Sequence, residues 1–450
     1  MKHRLYLLSL LLLTGLLLPG RNGLAKEPPV LTLNECIEIG LKQNLKLKAS
    51  QYSIERAKSL AKAAHADFFP KLQVHGSYRW LDNPTKIDIP EITIHTPMGP
   101  LVSPRTIVSE ADRNSAIVTT SLVQPIFTGG ALTEQYNLAK LEAKRETSQF
   151  ENNRQALIEA IKFAYFELVK AQKVYYLAVK FSEQLADHLK RAKAFLDENI
   201  IPLNDFLQSK VTLSNARLNV IKAKNGKKIA QSYLNLLLNR DINLPIRPET
   251  EFPMPPLSRP LSFFQDLALA SRPDLKSLMT RVNQAKSAVR LAKSSYYPHI
   301  ALSVNYRELT DNSFEEDSAS VLVTANWSIF EWNKRKWQVS AQKARLEQAM
   351  ILESQMKQQI LHEVKTAYLD AKAAYKRVQT IKDSVEQAKE NLRINNLRYQ
   401  EQVATSTDVI DAQTLLLRTE VNLTIAKIDY LKALAALEKA IGKPLKEDLL

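Results

Sequence analysis

Two aspartates three residues apart, Asp408 and Asp411, are the clearest chemical pair in the chain. On a helix that spacing puts both carboxylates on one face. Repeated around an axis by identical subunits, they would form a ring of negative charge that attracts cations and repels anions. Asp205 holds the place in the first half of the chain that Asp408 holds in the second. Both acids also stand where a helix begins, where free amides and the helix dipole favour a carboxylate, so capping is an equal reading for those two. Asp411 lies further in and is less easily explained that way. Catalytic constellations do not assemble. The seven histidines, at 3, 65, 75, 95, 188, 299 and 362, have no metal-binding spacing, and His362-Glu363 lacks the second histidine of a zinc-protease motif. With no phosphate-binding loop and no nucleophile elbow, the chain reads as a non-enzyme that needs no cofactor.

The elements that must position the acids are long helices. From Leu157 to Leu196 the apolar positions Leu157, Ile161, Ala164, Leu168, Ala171, Tyr175, Ala178, Leu185, Leu189, Ala192 and Leu196 step by four and three, broken only at Ser182. This is a coiled-coil seam, and its small alanines let neighbouring helices approach closely. Adding 203 to each number reaches a second seam from Ile360 to Tyr399, polar only at Asn395. The chain is built twice. A rod from about 130 to 199 would be roughly 100 Å long at ~1.5 Å per residue, so something is being spanned.

Before the first helix, Lys2 and Arg4 precede an apolar run from Leu5 to Leu18 and a Gly23-Leu24-Ala25 ending, the pattern of a secretory signal over residues 1–25. Its removal lowers the net charge from +15 to +12, because Lys2, Arg4 and Arg21 leave with no acids. The remaining Lys and Arg are spread among Glu and Gln along helix faces, which describes a solvated coiled-coil surface and not a nucleic-acid site. Only 10 glycines in 450 residues fits long helices with few turns. The single cysteine, Cys36, cannot form an intramolecular disulfide and reads as a small core residue.

A second offset, 228, relates the opening parts of the halves: Phe68-Phe69-Pro70 answers Tyr296-Tyr297-Pro298. Helices over roughly 33 to 67 and 261 to 295 are expected to stop at these prolines. After them the period changes to two. Leu72, Val74, Tyr78 and Trp80 alternate with polar residues, as do Ile300, Leu302, Val304 and Tyr306. Returning strands follow, with Ala319 to Ile329 clearly alternating and Ser115 to Ile126 weaker because Thr120 and Gln124 sit on the apolar face. The loop from Asp82 to Asn114 is long and contains proline; the one near Glu308 to Asp317 is short and acidic. Phe68, Phe69, Phe127, Tyr296, Tyr297, Phe330 and Trp332 all fall at one end of the hairpins. They read as an aromatic girdle at a membrane interface, the alternative being apolar plugs at helix–strand junctions. Four strands cannot close a barrel and lipid tolerates no open edge, so a membrane-spanning form must be an oligomer.

The expected organisation is a signal peptide over 1–25 and a first repeat over 26–240, with a β-hairpin at 71–127, a long helix at 130–199 and a return helix at 203–240. A proline-rich linker over 241–260 leads to a second repeat over 261–450, with its hairpin at 299–330, long helix at 332–401 and return helix at 406–442. The turns between long and return helices are tips, at Glu198 to Asp205 and Glu401 to Asp408.

Taken together, the two-fold repeat, the Phe-Phe-Pro and Tyr-Tyr-Pro junctions, Gln124-Pro125-Ile126-Phe127-Thr128-Gly129-Gly130, and Arg398-Tyr399 followed by Thr407-Asp408-Val409-Ile410-Asp411-Ala412-Gln413 closely resemble the TolC family of outer-membrane efflux proteins. The resemblance covers nearly all of the chain after the signal. It implies a mainly α fold with a β-barrel portion: a homotrimer with a twelve-stranded outer-membrane barrel, four strands per chain, above a periplasmic coiled-coil tunnel closed at its tip. It also implies docking to a periplasmic adaptor and an inner-membrane transporter, either an RND pump or the ABC exporter of type I secretion. Acids matching Asp205, Asp408 and Asp411, and a tyrosine matching Tyr399, belong in that family to the entrance and its closing links. Ile200, Ile201, Pro202, Val403 and Ala404, with Thr405, are the candidates for adaptor docking. Two departures stand out. Ala404 replaces an arginine that ties the tip shut in some members, and Asn199 and Gln402 replace the glycines usual before the tip turns. Glutamine tolerates the left-handed conformation less well, which leaves the second tip's geometry open. The reading from a different class is a soluble periplasmic coiled-coil adaptor, which shares the secretory signal and the heptads but has no use for amphipathic hairpins with aromatic ends.

Overall fold

A computed structural model describes residues 30–82, 86–110, 113–311 and 315–445. The expected secretory segment lies outside the described residues. In chain order the first half comprises β1 (Val30–Leu31), α1 (Leu33–Gln43), α2 (Leu45–Ala66), β2 (Lys71–Trp80), β3 (Lys86–Ile89), β4 (Ile92–Thr96), β5 (Gly99–Ser103), β6 (Thr106–Glu110), β7 (Asn114–Phe127), α3 (Ala131–Asp197) and α4 (Leu203–Leu237). After β8 (Arg247–Pro248) the second half runs α5 (Leu261–Ser271), α6 (Pro273–Ser294), β9 (His299–Asp311), β10 (Glu315–Asn326), α7 (Lys334–Gln400) and α8 (Ser406–Ile441).

The two long helices, α3 and α7, are 67 residues each, about 100 Å at 1.5 Å per residue. Each folds back on its return helix, α3 on α4 and α7 on α8, and α8 also packs on α3, which makes one wall of the two hairpins. The seams are inside that wall: Ile161, Leu168 and Leu185 of α3 and Ile360, Val364 and Val385 of α7 are buried. Ion pairs lace its partly exposed faces, with Lys162 on Glu438, Lys432 on Glu167 and Lys439 on Glu159 joining α8 to α3. The linker is held against the wall by two tyrosines. The Tyr165 hydroxyl donates to the Leu31 carbonyl at 2.9 Å and accepts from the Glu249 amide at 2.8 Å, while Tyr430 donates to the Pro255 carbonyl. Cys36 is fully buried against this core, and burial pushes its thiol up to about 12.

Two expectations are corrected here. Each opening helix is a pair, broken at Asn44 and at Arg272-Pro273. Asn44 leaves the helical region because its side chain caps α2, accepting from Leu47 N at 3.1 Å, and donates to the Leu237 carbonyl at 3.0 Å. Pro273 has no amide to continue α5 and instead starts α6, where a missing N–H costs nothing. The long loop after Trp80 is itself structured, with β3 paired to β6 and β4 nested as a hairpin with β5.

The main sheet has the order β10-β9-β7-β2, antiparallel throughout. Its two hairpins have the same register under the repeat offsets: Leu72 opposes Leu122 as Ile300 opposes Ala325, and Tyr78 opposes Ala116 as Tyr306 opposes Ala319. Two rows near the helical end of the sheet show its two faces, while towards the outer end Glu308 and Asp317 fall on the apolar side. Leu72, Leu122, Val304 and Val321 align on one face, and Gln73, Ser121, Asn305 and Ser320 on the other. Gln124, which disturbed the pattern, is accounted for by its amide, which donates to the Phe68 carbonyl at 2.9 Å; at the repeat-related place Trp327 donates to the Tyr296 carbonyl at 3.1 Å. Among the described residues no helix is long and apolar enough to cross a membrane.

Candidate functional site

At both tips the long helix ends in the same way. Asn199 and Gln402 take left-handed φ values of 57° and 61°. The next amides reach back, Ile200 N to Phe195 O and Val403 N to Arg398 O at 2.8 Å each, closing the orphan carbonyls of the last turn. Glutamine therefore adopts the turn that asparagine adopts more readily, at a cost of about 1 kcal/mol, and Arg398 Nη2 approaches the Val403 carbonyl at 3.5 Å beside it.

The return helices begin differently. Pro202 precedes α4 with no side-chain cap. Thr405 begins α8 with a reciprocal capping box: its hydroxyl accepts from Asp408 N at 3.2 Å, and its own amide donates to Asp408 Oδ2 at 2.8 Å. These Thr405 bonds hold the Asp408 carboxyl below the usual carboxylate range. Asp408 is a cap within its own subunit. Asp411, one turn on, is exposed, and Asp205 is half-buried in the first turn of α4. Ile200, Pro202, Val403 and Thr405 are exposed, whereas Ile201 and Ala404 are half-buried.

Tyr399 is in a buried cluster, within reach of the Asp205 charge. Its ring packs 5.1 Å from His188 and 5.4 Å from Phe195, and burial raises its phenol. Its hydroxyl has no hydrogen-bond partner within the subunit. His188, absent from the sequence-derived site, is fully buried at the meeting of α3, α4, α7 and α8. Its Nε2 is 2.7 Å from Ser406 Oγ, which is 2.9 Å from Ser209 Oγ, and Ser209 donates to the Asp205 carbonyl at 3.0 Å. The signal was present in the spacing. Leu185, His188 and Ala192 step by three and four as well as Leu185, Leu189 and Ala192 do, and the fold buries the first series while leaving Leu189 half-exposed.

The aromatic residues gather in separate groups at the helix–strand junctions. Phe68 meets Tyr136 edge-on with His65 beside it, Phe127 meets Tyr297 edge-on at 6.4 Å, and Phe330 lies 5.1 Å from Trp332. Phe69, Phe127, Tyr296, Tyr297, Phe330 and Trp332 are exposed, and so are Trp327 and Trp337, which belong to the same level. The backbone beneath repeats too. Gly129 and Gly130 have φ of 60° and 86°, and the corresponding Trp332 and Asn333 have 48° and 62°. A tryptophan there is strained where glycine is not.

A sheet with one apolar and one polar face, set on rods about 100 Å long that end in an acid-bearing tip, has a counterpart among known families. The model for outer membrane efflux proteins matches residues 37–240 and 265–443. The chain belongs to that family. It is 23% identical over 344 residues to the alkaline protease secretion protein AprF of Pseudomonas aeruginosa, covering 74% of this chain and 71% of AprF. Protein CyaE of Bordetella pertussis is 29% identical over 181 residues, a match that spans 39% of this chain and only 38% of CyaE. The solved outer membrane protein VceC of Vibrio cholerae superposes with a TM-score of 0.74 at 18% identity, covering 92% of this chain and 97% of VceC, which shows the common fold.

Proposed function

We propose that this chain is one subunit of a trimeric outer-membrane exit duct that passively conducts material delivered to its tip by a periplasmic adaptor and an inner-membrane transporter. The observation that carries the reading is the two-faced sheet with two open edges. Leu72, Val74 and Tyr78 of edge strand β2 and Val321 and Val323 of edge strand β10 are each about two-thirds exposed or more. A soluble adaptor would leave this contiguous apolar face in water, where it promotes aggregation. In lipid the same face is satisfied, provided that neighbouring copies pair the edges.

The internal repeat says how they would pair. Inside the chain, Thr120 of β7 opposes Tyr306 of β9. Carried through the two offsets, that contact becomes Val323 of β10 opposite Tyr78 of the partner subunit. Three copies then close twelve strands with Gln73, Ser121, Asn305 and Ser320 lining the water-filled side. The doubly substituted chain, Val323→Cys with Tyr78→Cys, is expected to give a covalent trimer ladder on mild oxidation in membranes. A pair displaced by one residue, Leu322→Cys with Tyr78→Cys, is expected to cross-link poorly because the side chains point to opposite faces. Equal cross-linking by both pairs, or none by either, would count against the assembly.

In this arrangement Phe68, Phe69, Phe127, Tyr296, Tyr297, Phe330 and Trp332 would lie at the periplasmic boundary of the bilayer. Asp205, Asp408, Asp411 and Tyr399 would belong to the gate at the other end. Ile200, Ile201, Pro202, Val403, Ala404 and Thr405 would face the adaptor, with the half-buried Ile201 and Ala404 contributing shape more than area. The kinship to a protein named for alkaline protease secretion favours a secretion route, in which the transported molecule is a polypeptide.

A further inference from the structure

The buried cluster at the tip does more than fill space. Ser209 spends its hydroxyl proton on the Asp205 carbonyl, so in the Ser406–Ser209 contact Ser406 is the donor. Ser406 then has only a lone pair to offer His188, whose Nε2 must carry the ring proton. A one-way chain runs from His188 on α3 through Ser406 on α8 and Ser209 to the Asp205 carbonyl on α4, with Tyr399 of α7 stacked on the imidazole. The far nitrogen, Nδ1, is buried with no partner, as is the Tyr399 hydroxyl. The ion pairs that join the hairpins lie higher up the wall, and this contact near the tip contains two unsatisfied polar atoms.

We propose that His188 is the positioning residue of an acid-released latch that holds the α7–α8 hairpin against the α3–α4 hairpin, and so keeps the tip narrow. The proposal rests on the gate reading given above. A second proton on the imidazole would sit on Nδ1, where no acceptor waits. No carboxylate acts on the imidazole itself. Arg191 on α3 is cationic, Tyr399 on α7 is a neutral phenol, and Asp205 on α4 gives its backbone carbonyl to the chain while its carboxylate acts on the Tyr399 hydroxyl beyond the ring. On α8, Asp408 is committed to Thr405. Burial first, then Arg191, pushes the imidazole down to about 4.

Parting the hairpins returns it to water and to its ordinary value near 6.5. The latched form is therefore disfavoured as pH falls from about 6.5 toward 4, and unlatching gains roughly 25-fold per subunit between pH 7.5 and 5.

The test is single-channel recording of the full-length trimer in planar bilayers at pH 7.5 and 5.0. The unsubstituted channel is expected to open more at pH 5.0. His188→Gln, which keeps a donor for Ser406 and cannot gain a proton, is expected to be nearly flat with pH. Ser406→Ala, which removes the acceptor, is expected to raise opening at pH 7.5 and blunt the acid response, should the first variant fail to assemble. A wild-type channel insensitive to pH, or variants with an undiminished acid response, would overturn the latch. Asp411→Cys treated with a bulky thiol reagent separates the two ideas. Blocked current with an acid response untouched by His188→Gln sinks the latch alone, whereas no block sinks the gate reading and the latch with it.

Discussion

Replacing Gly129 by valine is expected to abolish assembly of the membrane-embedded trimer. Gly129 has φ of 60°, and a Cβ there would stand 2.6 Å from the Ser294 carbonyl oxygen and 2.7 Å from Tyr297 Cβ. One obstacle is backbone and the other is the root of a side chain, so neither can swing aside. A β-branched residue in the left-handed region adds strain of its own, and together the terms amount to about 3–5 kcal/mol. The damage falls where β7 and α3 of the first half meet α6 and β9 of the second, so the sheet and the wall lose alignment together. Trp332 supplies the control, since it holds the same backbone without the collision. Trp332→Gly is expected to relieve about 1 kcal/mol of strain within the subunit. Heat resistance of the extracted trimer on gels measures both effects, and a Gly129→Val trimer as abundant and as heat-resistant as the unsubstituted one would refute the argument.

Substituting Asp411 by alanine is expected to lower the cation-to-anion permeability ratio by roughly two- to tenfold at low salt. Asp411 is exposed and one turn inside α8, and a trimer removes three such charges at one level. The loss should shrink as salt rises, since screening shortens from ~10 Å at 0.1 M to ~3 Å at 1 M. Asp408→Ala is expected to do something different. Its carboxylate is engaged by the Thr405 amide and hydroxyl, so removal costs about 1 kcal/mol of helix capping. The consequence is a looser tip with higher conductance and a smaller change in selectivity. Reversal potentials across a salt gradient measure the first effect and unitary conductance the second. Identical phenotypes for the two variants would show that the capping geometry is irrelevant to the tip's behaviour.

The contrast between these acids marks a boundary in what the residues alone could say. That Asp408 and Asp411 share a helix face follows from their spacing, and that Asp408 is suited to capping follows from its place behind Thr405. Which role takes up the carboxylate depends on the rotamer that the tip turn permits, and that turn is set by Gln402 in a conformation which propensity alone disfavours. The opening helices show the same limit from the other side. The aromatic-proline triplets stop them correctly, yet the break at Asn44 depends on a bond to the Leu237 carbonyl, 193 residues away.

By itself the sequence determined the duplication, the two long seams, the four main strands with their apolar faces and the family. The first three are periodic properties, written in side-chain order and readable without knowing what packs on what; the family was legible as a resemblance carried by the junction and tip motifs. Tertiary structure decided what periodicity leaves degenerate. Two heptad phases pass through Leu185 and Ala192, one through Leu189 and one through His188, and only the presence of Ser406 and Tyr399 on the facing helices selects the histidine. Gln124 and Trp327 look unlike each other in sequence but do the same work, because each is aimed at a carbonyl that a chain reversal brings near. In each case the deciding partner is far along the chain, and a hydrogen bond of about 1 kcal/mol is enough to overrule the local preference.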